Sequence, residues 1–202
     1  MLEVVSWLLG YVRQSTLLAL ALLLIALDTV AAGIAAIVRG LDAALLMSLI
    51  VPAVFIGWLI ARLAIKNRQA ALVIITSGIV AILLGGGNLA SPALATLRAL
   101  AGFSWRLLRW PLAAPDSTSA LIALTELWAR LNALLIRLRD WLGSIIARQP
   151  AFDPVAAGLI WFMAIWLIAA WAAWWVRRRN NPLAGLIPAL VLLAATSAYA
   201  AE

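Results

Sequence analysis

The stretch FDPVAAGLIWFMAIWLIAAWAAWWVRRRNNPLAG, residues 152–185, decides the fold class of this chain. No charged side chain lies between Val155 and Val176, a run of 22 residues. At about 1.5 Å of rise per residue, a helix of this length crosses a hydrocarbon core of about 30 Å. Asp153 and Pro154 are residue types preferred at a helix N-terminus. The stretch therefore predicts a transmembrane helix.

Tryptophans and arginines crowd the far end of this helix. Indole rings favour the headgroup layer of a membrane, and short arginine clusters are retained on its cytoplasmic side. This end is therefore predicted to lie at a cytoplasmic interface. The side chains concerned are Trp171, Trp174, Trp175, Arg177, Arg178 and Arg179.

The composition places the whole chain in a membrane. Of its 202 residues, 66% are hydrophobic and 11% are charged, too few polar side chains to cover a soluble globule of this size. The net charge of +7 and the pI near 11.5 would indicate nucleic-acid binding in a soluble domain. Here the basic residues lie beside apolar runs, so membrane topology and anionic lipid account for them better. We expect the lipid bilayer as a partner and no nucleic acid.

The chain has no cysteine and no histidine. It therefore offers no thiol nucleophile, no imidazole base and none of the usual soft or borderline metal ligands. The glycines at 85–87 precede Asn88 without the lysine and hydroxyl residue of a phosphate-binding loop, so they indicate a helix stop. We expect no catalytic residue, no metal site and no cofactor within these residues.

Further apolar runs predict four more spans. One of them contains Pro52, which is expected to kink the helix and to free a backbone carbonyl. In a membrane that carbonyl needs a neighbouring helix or a water, so a packed bundle is implied. The fold class is all-α, an integral membrane bundle of about five transmembrane helices. The predicted spans lie near 16–38, 41–65, 70–88, 154–176 and 182–200.

Residues 91–152 follow a different pattern. Two segments, near 92–110 and 118–148, carry leucines on one side and arginines on the other, which predicts two interfacial amphipathic helices. Ser91 and Pro92 are expected to cap and open the first of them. The leucine spacing of the second also fits a dimerising coiled coil, but additional apolar residues widen the stripe beyond a two-position seam and favour the interfacial position. The arginines could instead steer an anionic substrate, whereas a solvated polar face needs no further assumption.

These patterns divide the chain into three segments. Residues 1–90 form an N-terminal three-helix membrane segment, and 91–152 form the amphipathic interfacial insertion. Residues 153–202 form a C-terminal two-helix membrane segment. Each segment is assigned from its own apolar or amphipathic pattern.

Basic residues in the short connections predict the topology. One cluster lies between the second and third spans and one between the fourth and fifth, and both are expected in the cytoplasm. This arrangement requires 91–152 on the outer side, a cytoplasmic amino terminus and Glu202 on the outer face. The topology anchors are Arg62, Lys66, Arg68, Arg177, Arg178 and Arg179.

Asp28 is the candidate intramembrane polar site. It lies near the centre of the first predicted span, where an ionised carboxylate is costly, so it is either protonated or partnered. As a proton or cation site it would make the chain a transporter, with Thr29, Ser48 or Thr76 as possible co-ligands. Transport normally needs more than one intramembrane polar group, and we therefore expect Asp28 to be structural and mostly neutral.

Three stretches carry a resemblance to a known family: GWLIAR at 57–62, LWARLNALLIRLRDWL at 127–142, and FDPVAAGLIWFMAIWLIAAWAAWWVRRRNNPLAGLIPALVLL at 152–193. The chain resembles the N-terminal membrane region of bacterial multi-pass transglutaminase-like proteins. In that family a Trp-rich helix, an Arg-rich turn and a further helix precede an extracytoplasmic domain with a Cys-His-Asp triad. The resemblance implies a membrane anchor in the bacterial inner membrane, with the catalytic domain outside these residues.

Three functional classes remain open. The chain is the anchor and scaffold of a transglutaminase-like protein, a small proton- or cation-coupled transporter built around Asp28, or a membrane interaction subunit. The first class adds a downstream extracytoplasmic domain as a partner, and the third adds other membrane proteins. A downstream reading frame for a soluble Cys-His domain would support the first.

Overall fold

The computed structural model describes residues 16–38, 41–63, 65–109, 117–148, 153–179 and 182–200. In these ranges the chain is all-helical and contains no strand, so the predicted fold class is confirmed. We number the helices in chain order. They are α1 (Thr16–Ile37), α2 (Ala43–Arg62), α3 (Asn67–Gly85), α4 (Ala90–Leu108), α5 (Thr118–Ile146), α6 (Pro154–Arg179) and α7 (Pro182–Ala200).

Five of these helices are long and apolar enough to cross a membrane: α1, α2, α3, α5 and α6. By the length and composition of these helices, the chain is a multi-pass helical membrane protein. α1, α2, α3 and α6 are among the predicted spans, and α5 qualifies as well because its wide apolar stripe contains a sufficiently apolar window. The predicted span near 182–200 corresponds to α7, in which Ala184–Ala198 is an apolar helical stretch. The interfacial position of α4 and α5 stays a prediction.

Aspartates cap two of the spans. The Oδ1 atom of Asp153 accepts hydrogen bonds from the backbone N–H groups of Val155 (2.8 Å) and Ala156 (3.1 Å), which confirms its predicted place at the start of α6. Asp42 caps α2 in the same way: its Oδ1 atom accepts hydrogen bonds from the backbone N–H groups of Ala44 (2.9 Å) and Leu45 (3.2 Å). Each carboxylate satisfies donors that have no partner within the helix.

A glycine turn joins α3 to α4, and here the predicted cap of α4 is wrong. α3 ends at Gly85, as the glycines indicated, and Asn88 adopts a positive φ of 52°. The chain then enters α4 with Leu89 at the N-cap position, where no side chain accepts a hydrogen bond. Ser91 and Pro92 lie inside the first turn, where proline is tolerated because the first N–H groups have no helical acceptor.

The chain forms two compact units. The first comprises 1–81 and 160–202, and the second comprises 82–159. Of the three segments drawn from the sequence, most of 1–90 and of 153–202 falls in the first unit, and 91–152 falls in the second.

The core of the first unit lies along α6. Ala169, Ala170, Ala172 and Ala173 are fully buried, and Trp166 is almost so. A Cβ atom at Gly57 of α2 would lie 2.8 Å from the carbonyl carbon of Ala170, closer than real Cβ contacts come. Such small side chains let helix backbones approach closely in a membrane.

The helices around α6 in the first unit have defined directions. Gly78 of α3 lies against Trp166, and Ala71 borders the same groove as Trp171, so α3 runs antiparallel to α6. Gly185 of α7 lies against Ala172 and Val176 of α6, so the first turn of α7 packs on the last turns of α6. α1 packs on α2 and on α7.

The second unit contains the pair α4 and α5. The hydroxyl of Thr96 in α4 donates to the carbonyl of Pro92 (2.8 Å) and to that of Ala123 in α5 (3.1 Å). Thr96, Pro92 and Ala120 are the buried residues of the two helices. Most other apolar side chains of the pair are exposed, which suits contact with lipid or with another membrane protein.

We predict that Gly57→Ala destabilises the protein by about 1–3 kcal/mol, because the added methyl group overpacks the contact with Ala170. The matched control is Gly102→Ala in α4, where a Cβ atom meets nothing within 4 Å. The control should gain about 0.5–1 kcal/mol from the higher helix propensity of alanine. Unfolding followed by circular dichroism in detergent measures both. Equal stabilities of the two variants would contradict the close contact.

Candidate functional site

Asp28, the predicted intramembrane site, lies in α1 and is half-buried. Its Oδ1 atom is buried and accepts no hydrogen bond from the described residues. A buried acceptor without a partner is uncommon in folded proteins and calls for an explanation. Asp28 is therefore the first polar group to consider for a function.

The hydroxyls proposed as co-ligands of Asp28 are bonded elsewhere. Thr29 donates to the carbonyl of Ile25 (2.7 Å), and Ser48 donates to that of Leu45 (2.7 Å). Thr76 donates to the backbone of its own helix at 2.8 Å. Each hydroxyl proton is thus directed to its own helix, while the oxygen lone pairs remain able to bind a cation. None of the three donates to the buried Oδ1 of Asp28.

Metal-ligating side chains do not cluster in the described part of the chain. Within it, no group of three or more His, Cys, Asp or Glu residues could hold a metal ion. Charged side chains come together in two ion pairs of the second unit, Arg130 with Glu126 and Arg137 with Asp153.

The six topology anchors lie at one end of the first unit. α3 runs antiparallel to α6, so its first residue, Asn67, is at the level of the arginines that end α6. The connection from Arg62 to Asn67 is too short to reach the opposite end of a membrane helix. The two basic clusters therefore share an end. Its cytoplasmic side remains a prediction.

Indole rings hold some of these arginines. The guanidinium of Arg62 lies 3.7 Å from the ring centroid of Trp58, and that of Arg178 lies 5.3 Å from Trp174. In both cases the arginine follows the tryptophan by four residues, so the two share one helix face. Such cation–π contacts fix the arginine beside a ring that favours the membrane interface.

An ion pair that the sequence analysis missed joins α5 to the start of α6 within the second unit. The Nε atom of Arg137 donates to Oδ2 of Asp153, and Oδ1 of the same carboxylate caps α6. The Asp153 side chain is 19% exposed. The Arg137 hydrogen bond, helped by the backbone N–H groups, lowers the pKa of Asp153. No sequence spacing joins residues in two different helices, so only the cap could be predicted.

A polar cavity of about 360 Å³ lies beside this pair. Gly87, Asn88, Arg130 and Arg137 are among the residues that line it. Arg130 is paired with Glu126 at 2.6 Å, and Arg137 is paired with Asp153. These carboxylates compensate both guanidinium charges, so the cavity has little net attraction for an anion.

We predict that Asp153→Ala lowers the free energy of unfolding by about 1 kcal/mol at pH 7 through loss of the cap. Because folding lowers the Asp153 pKa, this contribution is present above the unfolded pKa of about 4 and disappears as the pH falls through the lower folded value. Unfolding in detergent between pH 7 and pH 3 measures the difference between wild type and variant. A difference that does not shrink at low pH would contradict the ionised cap.

Arg137→Gln is the matched variant for the ion pair. It leaves the cap in place, so the expected loss is smaller than that of Asp153→Ala and falls with added salt. In the Asp153→Ala background Arg137→Gln should add little, because its partner is already absent.

The chain was also compared with known proteins. No protein-family model, no curated protein and no solved structure matches it. The resemblance to transglutaminase-like membrane proteins therefore rests on the quoted residues.

Proposed function

We propose that this chain is the membrane anchor and scaffold of a bacterial transglutaminase-like protein of the inner membrane, whose catalysis takes place outside these 202 residues. The observation that carries the proposal is the packing of α6. The stretch most similar to that family, 152–193, includes α6, along which the core of the first unit lies. An anchor must hold its helices in a fixed arrangement, and this helix provides the contacts that do so.

Three contacts to α6 within the first unit support a rigid scaffold. Gly57 of α2 meets the backbone of Ala170, and Gly78 of α3 meets the ring of Trp166. The indole Nε1 of Trp166 donates to the carbonyl of Ile74 at 3.0 Å. A buried hydrogen bond between helices and close backbone packing are the interactions that hold membrane helices together.

The chain's own chemistry fits a supporting role. It has no thiol and no imidazole, so a papain-like triad would have to come from another part of the protein. The partners under this proposal are the bilayer and an extracytoplasmic domain. The exposed apolar side chains of α5 add a surface for another membrane protein; they include Leu121, Ile122, Leu124, Trp128, Leu135, Ile136 and Ile145.

A second candidate function is a small proton- or cation-coupled transporter. The observation that favours it is the buried Oδ1 of Asp28, which has no donor among the described residues. A carboxyl group in a membrane span is free to take up a proton when no side chain satisfies it. Transport normally needs more than one intramembrane polar group, and no group of three or more His, Cys, Asp or Glu residues forms among the described residues, so this function ranks second.

The anchor proposal predicts a topology. A cytoplasm-active reporter fused after Arg179 should work, and an export-active reporter fused after Glu202 should work, although Glu202 and the amino terminus lie outside the described residues. A fusion after Arg68 is the matched control. Since the two basic clusters share one end of the first unit, it should behave like the fusion after Arg179. The reverse pattern at Arg179 and Glu202 would remove the anchor role.

Asp28→Asn separates the two candidate functions. Under the anchor proposal the variant should keep wild-type expression and thermal stability in detergent within about 0.5 kcal/mol, since it retains the shape of a neutral carboxyl group. Proton or cation flux into proteoliposomes is the second measurement, with Asp42→Asn in the α1–α2 connection as the control. A flux that Asp28→Asn alone abolishes, at normal protein levels, would place the transporter first.

A further inference from the structure

An apolar groove of about 320 Å³ lies in the first unit between α3, α6 and α7. Ala71 and Ile75 of α3 form one side, Ile168 and Trp171 of α6 form the other, and Pro188 of α7 contributes to the wall. Ala71 and Ile75 are exposed, so the groove opens to the surroundings of the helices. In a bilayer these surroundings are hydrocarbon, and an acyl chain is the ligand that suits such a lining.

Along α6, the residues on the groove side change from apolar to basic towards the C-terminal end of the helix. The rings of Trp171 and Trp175 stack with their centroids 5.0 Å apart, and the guanidinium of Arg179 lies 5.5 Å from the centroid of Trp175. Ile168, Trp171, Trp175 and Arg179 follow one another at three or four residues and therefore share a helix face. One face of α6 thus carries the apolar wall, a stacked tryptophan pair and an arginine.

The α3 side of the groove has the same order. Arg68, Ala71 and Ile75 are separated by three and four residues and lie on one face of α3. Because α3 and α6 are antiparallel, Arg68 and Arg179 lie towards the same end of the groove. The sequence has no acidic residue in 62–68 or in 171–179. No carboxylate of these two segments can therefore pair with Arg68 or Arg179.

Trp175 adds a donor at the same place. Its indole Nε1 is buried and donates to no acceptor among the described residues. An indole N–H without a partner retains its full capacity for a hydrogen bond. Because this atom is buried, a ligand can accept from it only after neighbouring side chains shift, among them the exposed Arg179 that lies over the ring.

We propose that this groove binds one anionic phospholipid, with an acyl chain along Ala71, Ile75 and Ile168 and the phosphate at Arg68, Arg179 and the N–H of Trp175. The ligand satisfies two requirements at once. Its chain fills an apolar groove, and its phosphate offers negative charge to Arg68 and Arg179 and an acceptor to the indole of Trp175. Guanidinium groups match phosphate geometry with several donors, which distinguishes this end from a simple positive surface.

A free anion would contact only the basic end of the site, because the apolar side chains of the groove form no favourable contact with it. The depth also fits a lipid, since stacked tryptophans mark the headgroup layer and the groove continues towards the hydrocarbon. The proposal does not depend on the anchor role. A transporter or an interaction subunit with this end would bind the same lipid.

Native mass spectrometry of the purified full chain in detergent tests the site. The probes are phosphatidylglycerol and phosphatidylcholine with identical acyl chains. We expect one phosphatidylglycerol to be retained in preference to phosphatidylcholine. Arg68→Gln with Arg179→Gln should weaken that binding about 30-fold, and Trp175→Phe, which keeps the ring and removes the donor, about fivefold.

Two further variants separate a built site from general attraction. Arg106→Gln with Arg109→Gln removes the same charge from the C-terminal end of α4, where the guanidinium of the C-cap residue Arg109 lies 4.6 Å from the ring centroid of the exposed Trp105. This double variant should leave retention unchanged. Ala71→Trp fills the groove from an exposed position without changing the charge and should weaken retention at least about tenfold. Circular dichroism melting confirms that each variant is folded.

Equal retention of the two lipids, or an equal loss in the α4 control, would overturn the proposal in favour of diffuse attraction. Unchanged retention in a folded Ala71→Trp variant would also overturn it. Inorganic phosphate at millimolar concentration should not displace the lipid, and full displacement would mean that the site recognises a free anion.

Discussion

Close packing between small residues along α6 is the constraint on which the first unit depends. Lipid tails are as apolar as leucine, so helices in a membrane gain nothing from merely meeting and need tight contact and hydrogen bonds. Gly78 lies one turn after Ile74, and its missing side chain leaves room for the ring of Trp166. That room lets the indole donate to the Ile74 carbonyl at 3.0 Å. The glycine and the hydrogen bond thus depend on each other.

Arginine is stabilised in two different ways in this chain. In the second unit, Arg130 and Arg137 pair with carboxylates, which cancels their charge locally. In the first unit, arginines at the basic end lie over tryptophan rings, and acidic residues are absent from the neighbouring sequence. An ion pair neutralises the charge of the arginine locally. An indole ring instead positions the guanidinium and leaves the N–H donors of the arginine available. The basic end is therefore the part of the described chain equipped to attract an anion.

The sequence predicted the helices well because length and hydropathy are local properties. The start of α6 at Pro154 and the end of α3 at Gly85 follow from a cap residue and from glycines. The length and hydropathy of α5, which also satisfy the requirements for a span, show the limit of such counting, since an amphipathic stripe can be wide enough to satisfy it. Contacts such as Trp166 with Ile74, 92 residues apart, have no local signal. The same is true of Arg137 with Asp153, and of the groove between three helices.

The distribution of polar groups also bears on what the bundle does. The buried hydroxyl of Thr96 and the buried indole of Trp166 each donate to a backbone carbonyl. The Oδ1 atom of Asp28 and the indole N–H groups of Trp58, Trp174 and Trp175 are buried without a partner among the described residues. The helix of Asp28 cannot supply one, because a carboxylate accepts hydrogen bonds and α-helix backbone donors are already used. A protonated carboxyl group loses the charge, and its hydroxyl can then donate to a backbone carbonyl as the nearby threonine and serine hydroxyls do. A neutral Asp28 is therefore compatible with a static scaffold, and only an ionised one would require a mobile partner ion.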